Sequence, residues 1–172
     1  MKTDNDWEAR VAALWQGAPS MPPAELVAAA DALADEREAG DAAALFERAC
    51  ARDTAGVEAE AERYYRAALA SGRLDPYRAS RATIQLASTL RILGRLDESE
   101  KLLVALLDSH LAPGASRALH DEARATLALT WVAQGRAVEA AGLALVTLAP
   151  HLSRYHRSMS ANAAALVTRT WV

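Results

Sequence analysis

The chain has little cysteine and few aromatic residues. Its 172 residues hold one cysteine, Cys50. No disulfide can form within it, which fits a reducing, cytoplasmic setting. Val and Ile are sparse and no strand-like alternation persists, so a β-sheet is not expected. Nowhere do about 18 apolar residues run together, the length needed to cross a bilayer. The opening residues, Met1-Lys2-Thr3-Asp4-Asn5-Asp6, are acidic and lack the apolar core of a signal peptide. The net charge is -3 and no block of Lys or Arg lies along one face. That disfavours nucleic acid and anionic membrane as partners, since both need a basic patch. No Gly-rich phosphate loop, serine elbow or zinc motif is present. An enzyme is therefore not expected, and neither is a cofactor.

What the chain does have is alanine and leucine. Hydrophobic residues make up 52%, aromatics only 5%. Ala and Leu cost least in a helix, and the composition is that of an all-α protein. Apolar periodicity and Gly/Pro punctuation predict helices over 5–17, from Pro22-Pro23 to about Glu38, 41–54, 57–71, 77–93, 96–110, 117–134, 137–149 and about 153–169. Trp7, Val11, Leu14 and Trp15 share one face of the first. Pro113-Gly114 reads as a loop.

The helices fall into a repeat. Aligned on Gly56, Gly94 and Gly135, each glycine is preceded seven residues earlier by an alanine, namely Ala49, Ala87 and Ala128. Four residues after it stands a glutamate: Glu60, Glu98 and Glu139. The next residue is small: Ala61, Ser99 and Ala140. Thirteen residues after each glycine is a leucine: Leu69, Leu107 and Leu148. Small residues on both helices let antiparallel helices approach closely, and a glycine relieves the sharp turn by taking positive φ. One hairpin cannot bury both its faces, so hairpins stack.

This pattern resembles the tetratricopeptide repeat. The middle unit matches through Leu86-Ala87, Leu90, Gly94-Arg95-Leu96-Asp97-Glu98-Ser99, Leu103 and Leu106-Leu107. The third matches through Leu127-Ala128, Trp131, Gly135, Glu139-Ala140 and Leu148. The first matches through Leu45, Ala49, Gly56, Glu60-Ala61, Tyr65 and Ala68-Leu69. It departs at Arg48 and Arg52, which stand where apolar or aromatic residues are usual, so its first helix is expected to be shifted or locally exposed. More narrowly, the chain is similar to a family of small bacterial tetratricopeptide proteins, through Leu45-Phe46-Glu47-Arg48-Ala49, Gly56 to Ala61, Ile84 to Arg91 and Arg154-Tyr155-His156-Arg157-Ser158. That likeness covers roughly 42 to 170 and implies no particular activity. The resemblance implies a right-handed α-α superhelix. Its expected divisions are an N-terminal helical pair at 1–40, three repeats within 41–152 (about 42–75, 80–113 and 121–154) and a capping helix at 153–172.

In such arrays the first helix of each unit lines a concave face. The strip expected there in the middle unit is Arg81, Ile84, Ser88 and Arg91. Its counterparts are Ala43, Phe46, Cys50 and Asp53 in the first unit, and Glu122, Ala125, Leu129 and Val132 in the third, with Gln85 and Thr126 flanking. The candidate ligand groove is therefore Phe46, Cys50, Asp53, Arg81, Gln85, Ser88, Arg91, Glu122 and Thr126. It is expected to hold an extended peptide or a partner helix, with Arg81 and Arg91 pairing to a carboxylate or else solvated or paired to neighbours. Some members of the wider superfamily grip a C-terminal carboxylate with Lys and Asn. Phe46, Cys50, Gln85 and Ser88 stand at those places here, so that clamp is absent.

The chain's other reactive side chains read as structural. His110 and His120 flank a loop and are placed to meet, while His151 and His156 lie around Pro150. None forms a ligand set with metal spacing, so no metal is expected. Cys50 has no accompanying His and Asn, and carboxylate pairs such as Glu58/Glu62 and Asp97/Glu98 lie on solvated faces. Trp7, Trp15 and Trp171 are expected to be buried where the ends of the chain fold onto the repeats. The alternative is a homodimer through Trp7 and Trp15 or through Trp171. The function implied is a non-enzymatic scaffold, monomeric and cytoplasmic, for a protein or peptide. The alternatives are a sensor that binds a small molecule or signalling peptide, and a structural homo-oligomer.

Overall fold

The structure is a computed structural model and describes residues 4–112 and 117–167. Pro113-Gly114 and Trp171 lie outside the described residues, and the last helix, expected over about 153–169, is observed only over His156–Ala164. Nine α-helices and two 3-10 turns are present among the described residues, with no strand. The α-helices are α1 (Asp4–Gly17), α2 (Pro23–Ala34), α3 (Ala42–Thr54), α4 (Glu58–Ala70), α5 (Pro76–Ile92), α6 (Leu96–Ser109), α7 (His120–Ala133), α8 (Ala137–Leu148) and α9 (His156–Ala164). The fold is all-α and built from helical hairpins.

The three aligned glycines are three copies of one hinge. Gly56, Gly94 and Gly135 have φ of +75°, +78° and +82°, the left-handed region that only glycine enters without strain. The next residue's N–H reaches back to a carbonyl five residues earlier in each case. Val57 donates to Arg52, Arg95 to Leu90 and Arg136 to Trp131, all at 2.8 Å. Each glycine N–H donates to the carbonyl three residues before it, those of Asp53, Arg91 and Val132, at 3.0–3.1 Å. These paired bonds satisfy the last carbonyls of the preceding helix and stop it. The small residues on either side are all buried: Ala49, Ala61, Ala87 and Ser99 are fully enclosed, and Ala128 and Ala140 nearly so. Of the repeat leucines, Leu107 is buried but Leu148, at the end of α8, is 49% exposed.

The chain divides into two compact units, 1–89 and 90–172. In the first, α1 and α2 pack on α3. Trp7, Val11, Ala34 and Ala44 form one apolar cluster, and Leu26, Ala30 and Ala51 a second. The Trp7 indole is 2% exposed and donates to the Leu33 carbonyl at 2.8 Å. Asp41 caps α3 by accepting from the Ala44 N–H at 2.9 Å. The two arginines that break the repeat pattern do not shift or expose this helix, contrary to expectation. Arg52 is only 8% exposed. Its guanidinium bonds both Asp31 oxygens at 2.9 Å, bonds Glu60 at 2.9 Å and lies 4.6 Å from the Tyr64 ring. Arg48 bonds Asp31 at 2.7 Å and also pairs with Asp35. The reason is that α2 supplies anions opposite α3, so the guanidiniums are neutralised where a bulky apolar side chain would otherwise sit. Burial works against the charge on Asp31, but the bonds from Arg52 and Arg48 hold its carboxyl below the usual range.

In the second unit α7 packs on α6 and α8, and α9 packs on α8. Ser99 and Thr130 hydroxyls meet at 2.9 Å, fully buried. The Trp131 indole donates to Glu100 at 2.8 Å beneath the Arg136 guanidinium, which itself bonds Glu100 and Glu139. At Gly142 the backbones of α8 and the segment ending α9 come so close that a Cβ would lie 2.7 Å from Leu166 Cβ and Val167 Cγ2, and 3.0 Å from the Ala163 carbonyl. Gly142→Ala is expected to cost about 1–3 kcal/mol through overpacking. Gly17→Ala, where an added Cβ meets nothing within 4 Å, is expected to change stability little. Denaturant unfolding of the two variants checks the contrast.

Candidate functional site

The candidate groove residues divide between the two units, and the two sets differ. In the first unit the strip Phe46, Cys50, Asp53 of α3 faces α5. Arg81, Gln85 and Thr89 of α5 recur at one helical face and meet it in turn. The Arg81 guanidinium stands 5.2 Å from the Phe46 ring centroid. Cys50 Sγ donates to Gln85 Oε1 at 3.5 Å. Thr89 Oγ1 lies 3.4 Å from Asp53 Oδ1, and the Tyr65 hydroxyl of α4 donates to Asp53 Oδ2 at 3.1 Å. Phe46 is fully buried and Cys50 is 1% exposed. They are therefore interior packing residues, which corrects their assignment to an open groove. Asp53, Arg81, Gln85 and Ser88 are half-buried.

Burial is the largest influence on the ionisable groups of this network. Burial, with the Glu47 charge adding to it, pushes the Cys50 thiol up to about 12. Burial likewise raises Asp53 and Tyr65 above their ordinary ranges. Close by, Glu47 is 3% exposed. It accepts the Trp15 indole N–H at 2.6 Å and lies 3.7 Å from Arg78, which also pairs with Glu8. Burial raises the Glu47 pKa although Trp15 and Arg78 oppose it. Sequence reasoning missed this buried carboxylate, because its indole partner is 32 residues away and leaves no local signal.

In the second unit the equivalent strip is bare. The glycine register maps Phe46, Cys50 and Asp53 onto Ala125, Leu129 and Val132 of α7. Leu129 is 55% and Val132 56% exposed, and Glu122 and Ala125 are exposed beside them. Thr126 is half-buried and donates to the Glu122 carbonyl at 2.9 Å. The other face of α7, Ala123, Leu127, Thr130 and Trp131, is sealed. Arg91, at the end of α5, has its Nε buried without a hydrogen-bond partner.

The histidines do come together in one pair: His110 and His120 approach at 2.9 Å through their Nδ1 atoms. His151 pairs with Asp121 at 3.2 Å, and His156 is exposed. Among the described residues no three His, Cys, Asp or Glu side chains are grouped to hold a metal ion. No described helix is long and apolar enough to cross a membrane. Trp15 is half-buried against Glu47, so neither it nor Trp7 offers a fully exposed indole. With its sulfur enclosed and its thiolate disfavoured, Cys50 is expected to resist iodoacetamide in the folded protein near pH 8 and to react once per chain on unfolding. Intact-mass measurement with and without denaturant checks this.

No curated protein and no solved structure matches the chain. A family model described as the tetratrico peptide repeat matches residues 42–166. That span takes in all three glycine hinges and the helices they join, so the chain belongs to the tetratricopeptide repeat family.

Proposed function

We propose that the protein is a non-catalytic scaffold that holds a protein partner on the bare face of α7. Tetratricopeptide repeats generally mediate protein–protein interaction. The observation that carries the reading is the contrast between equivalent positions. Phe46 and Cys50 are sealed under α5, whereas Ala125, Leu129 and Val132 are exposed, the last two by more than half. Since the covering element in the first unit is a helix, the α7 strip suits a helix or extended segment with apolar side chains along one side. Arg91, half-buried at the end of α5, is assigned as the cation that would meet a carboxylate on the partner. The groups that would be needed for chemistry are closed off: Cys50 is buried and its thiolate disfavoured, and Glu47 and Asp53 are engaged.

A photo-crosslinking residue at position 129 is expected to capture a protein partner that one at Ala144, exposed on α8, does not. Leu129→Glu with Val132→Glu is expected to weaken that partner's binding by about tenfold or more, with a smaller effect on thermal midpoint than the same changes at buried Leu127 because both side chains are already more than half exposed. Arg91→Ala is expected to weaken it less. Undiminished binding by the double variant would refute the assignment.

A further inference from the structure

The α6–α7 joint contains a buried imidazole pair that the binding surface does not use. His110, capping α6, is 5% exposed, and His120, opening α7, is 9% exposed. Their Nδ1 atoms are 2.9 Å apart and their rings tilt at 45° with centroids 5.2 Å apart. One nitrogen must donate and the other accept, so the contact requires at least one unprotonated Nδ1. Nε2 of His120 is buried without a hydrogen-bond partner, so an imidazolium there would carry an unsatisfied N–H. The surroundings are cationic. Arg117 precedes α7 and Arg124 lies one turn inside it, and both act on His120. Asp121 is the nearby anion, and it is shared between His151 at 3.2 Å and Arg124 at 3.9 Å. The joint is also strained: Leu119, immediately before His120, has φ of +59° without being glycine.

We propose that the His110–His120 contact is an acid-released latch that fixes the start of α7 while both rings are neutral and lets it go when the pair is protonated. Through α7 the latch governs how the strip at Leu129 and Val132 is presented; that consequence rests on the reading above, whereas the latch itself does not. Burial holds His110 below its ordinary value, and burial with Arg124 and Arg117 brings His120 down to about 4. The unfolded chain thus binds protons more readily than the folded one. The latch's contribution is complete above about pH 6.5, the unperturbed imidazole value. It is lost as pH falls toward 4.

Hydrogen exchange of the full chain, corrected for the intrinsic rate, tests this at about pH 7 and pH 5. Protection over 120–127 is expected to fall on the order of tenfold relative to α3, and His110→Gln with His120→Gln is expected to abolish that pH dependence. Should that variant not fold, imidazole NMR titration of the wild type decides, with both rings titrating well below the ordinary value and in step with the loss of protection. Ordinary histidine titration, or α7 protection that does not change with acid, overturns the latch. Loss of protection in acid with no effect of strip substitutions on partner binding leaves the latch standing and refutes the binding surface instead.

Discussion

A helical hairpin with a three-residue link works only if the chain can reverse within a single turn and the two helices can then lie close. Both conditions are backbone conditions. The reversal needs positive φ, and the approach needs side chains no larger than alanine or serine where the helices cross. Gly56, Gly94 and Gly135 meet the first with the same two hydrogen bonds each time. The buried Ala49 and Ala61 in the first unit and Ala128 and Ala140 in the second meet the second condition, and Ala87 and Ser99 are also buried. Any residue with a Cβ at the hinge would bring strain of roughly 1–2 kcal/mol. Any large side chain at the crossing would push the helices apart and open every layer stacked on them.

Given that frame, the first unit has an unusual interior. It holds several partnered ionisable side chains: Arg52 on Asp31 and Glu60, Glu47 bonded by Trp15, and Asp53 between Tyr65 and Thr89. Such groups are tolerated only because each has its partner, and a buried charge left alone would be far more costly.

The hinges, the helix boundaries and the all-α class were legible in the sequence because they depend on local rules: glycine for positive φ, small residues at fixed offsets, apolar stripes at helical period. The site was legible only in part. Periodicity placed Phe46, Cys50 and Asp53 on one face of α3, and they do share that face. It could not say that α5 lies over it, since which helix covers which face is a property of stacking and not of spacing. Arg48 and Arg52 show the same limit. Their departure from the pattern was visible, but the compensating Asp31 sits in a different helical pair, 21 residues from Arg52. His110 and His120 were readable as neighbours across a loop, whereas their burial and the orphaned Nε2 were not.

The size of the α7 strip sets what kind of interaction it can support. Fully burying a leucine or valine side chain is worth roughly 1.5–3 kcal/mol, and Leu129 and Val132 are already about half covered, so together they have only a few kcal/mol left to give. A millimolar complex requires about 4 kcal/mol net, after the loss of translational and rotational freedom has been overcome. The strip alone therefore cannot make a tight complex. It needs either a second anchor, such as the charge-assisted bond proposed for Arg91, or a partner that is itself multivalent. A weak apolar contact supplemented by one charge is also the kind of interface most easily altered by a small displacement of the helix that carries it. His120 stands at the start of that same helix, so a change of protonation there acts where little energy is needed to have an effect.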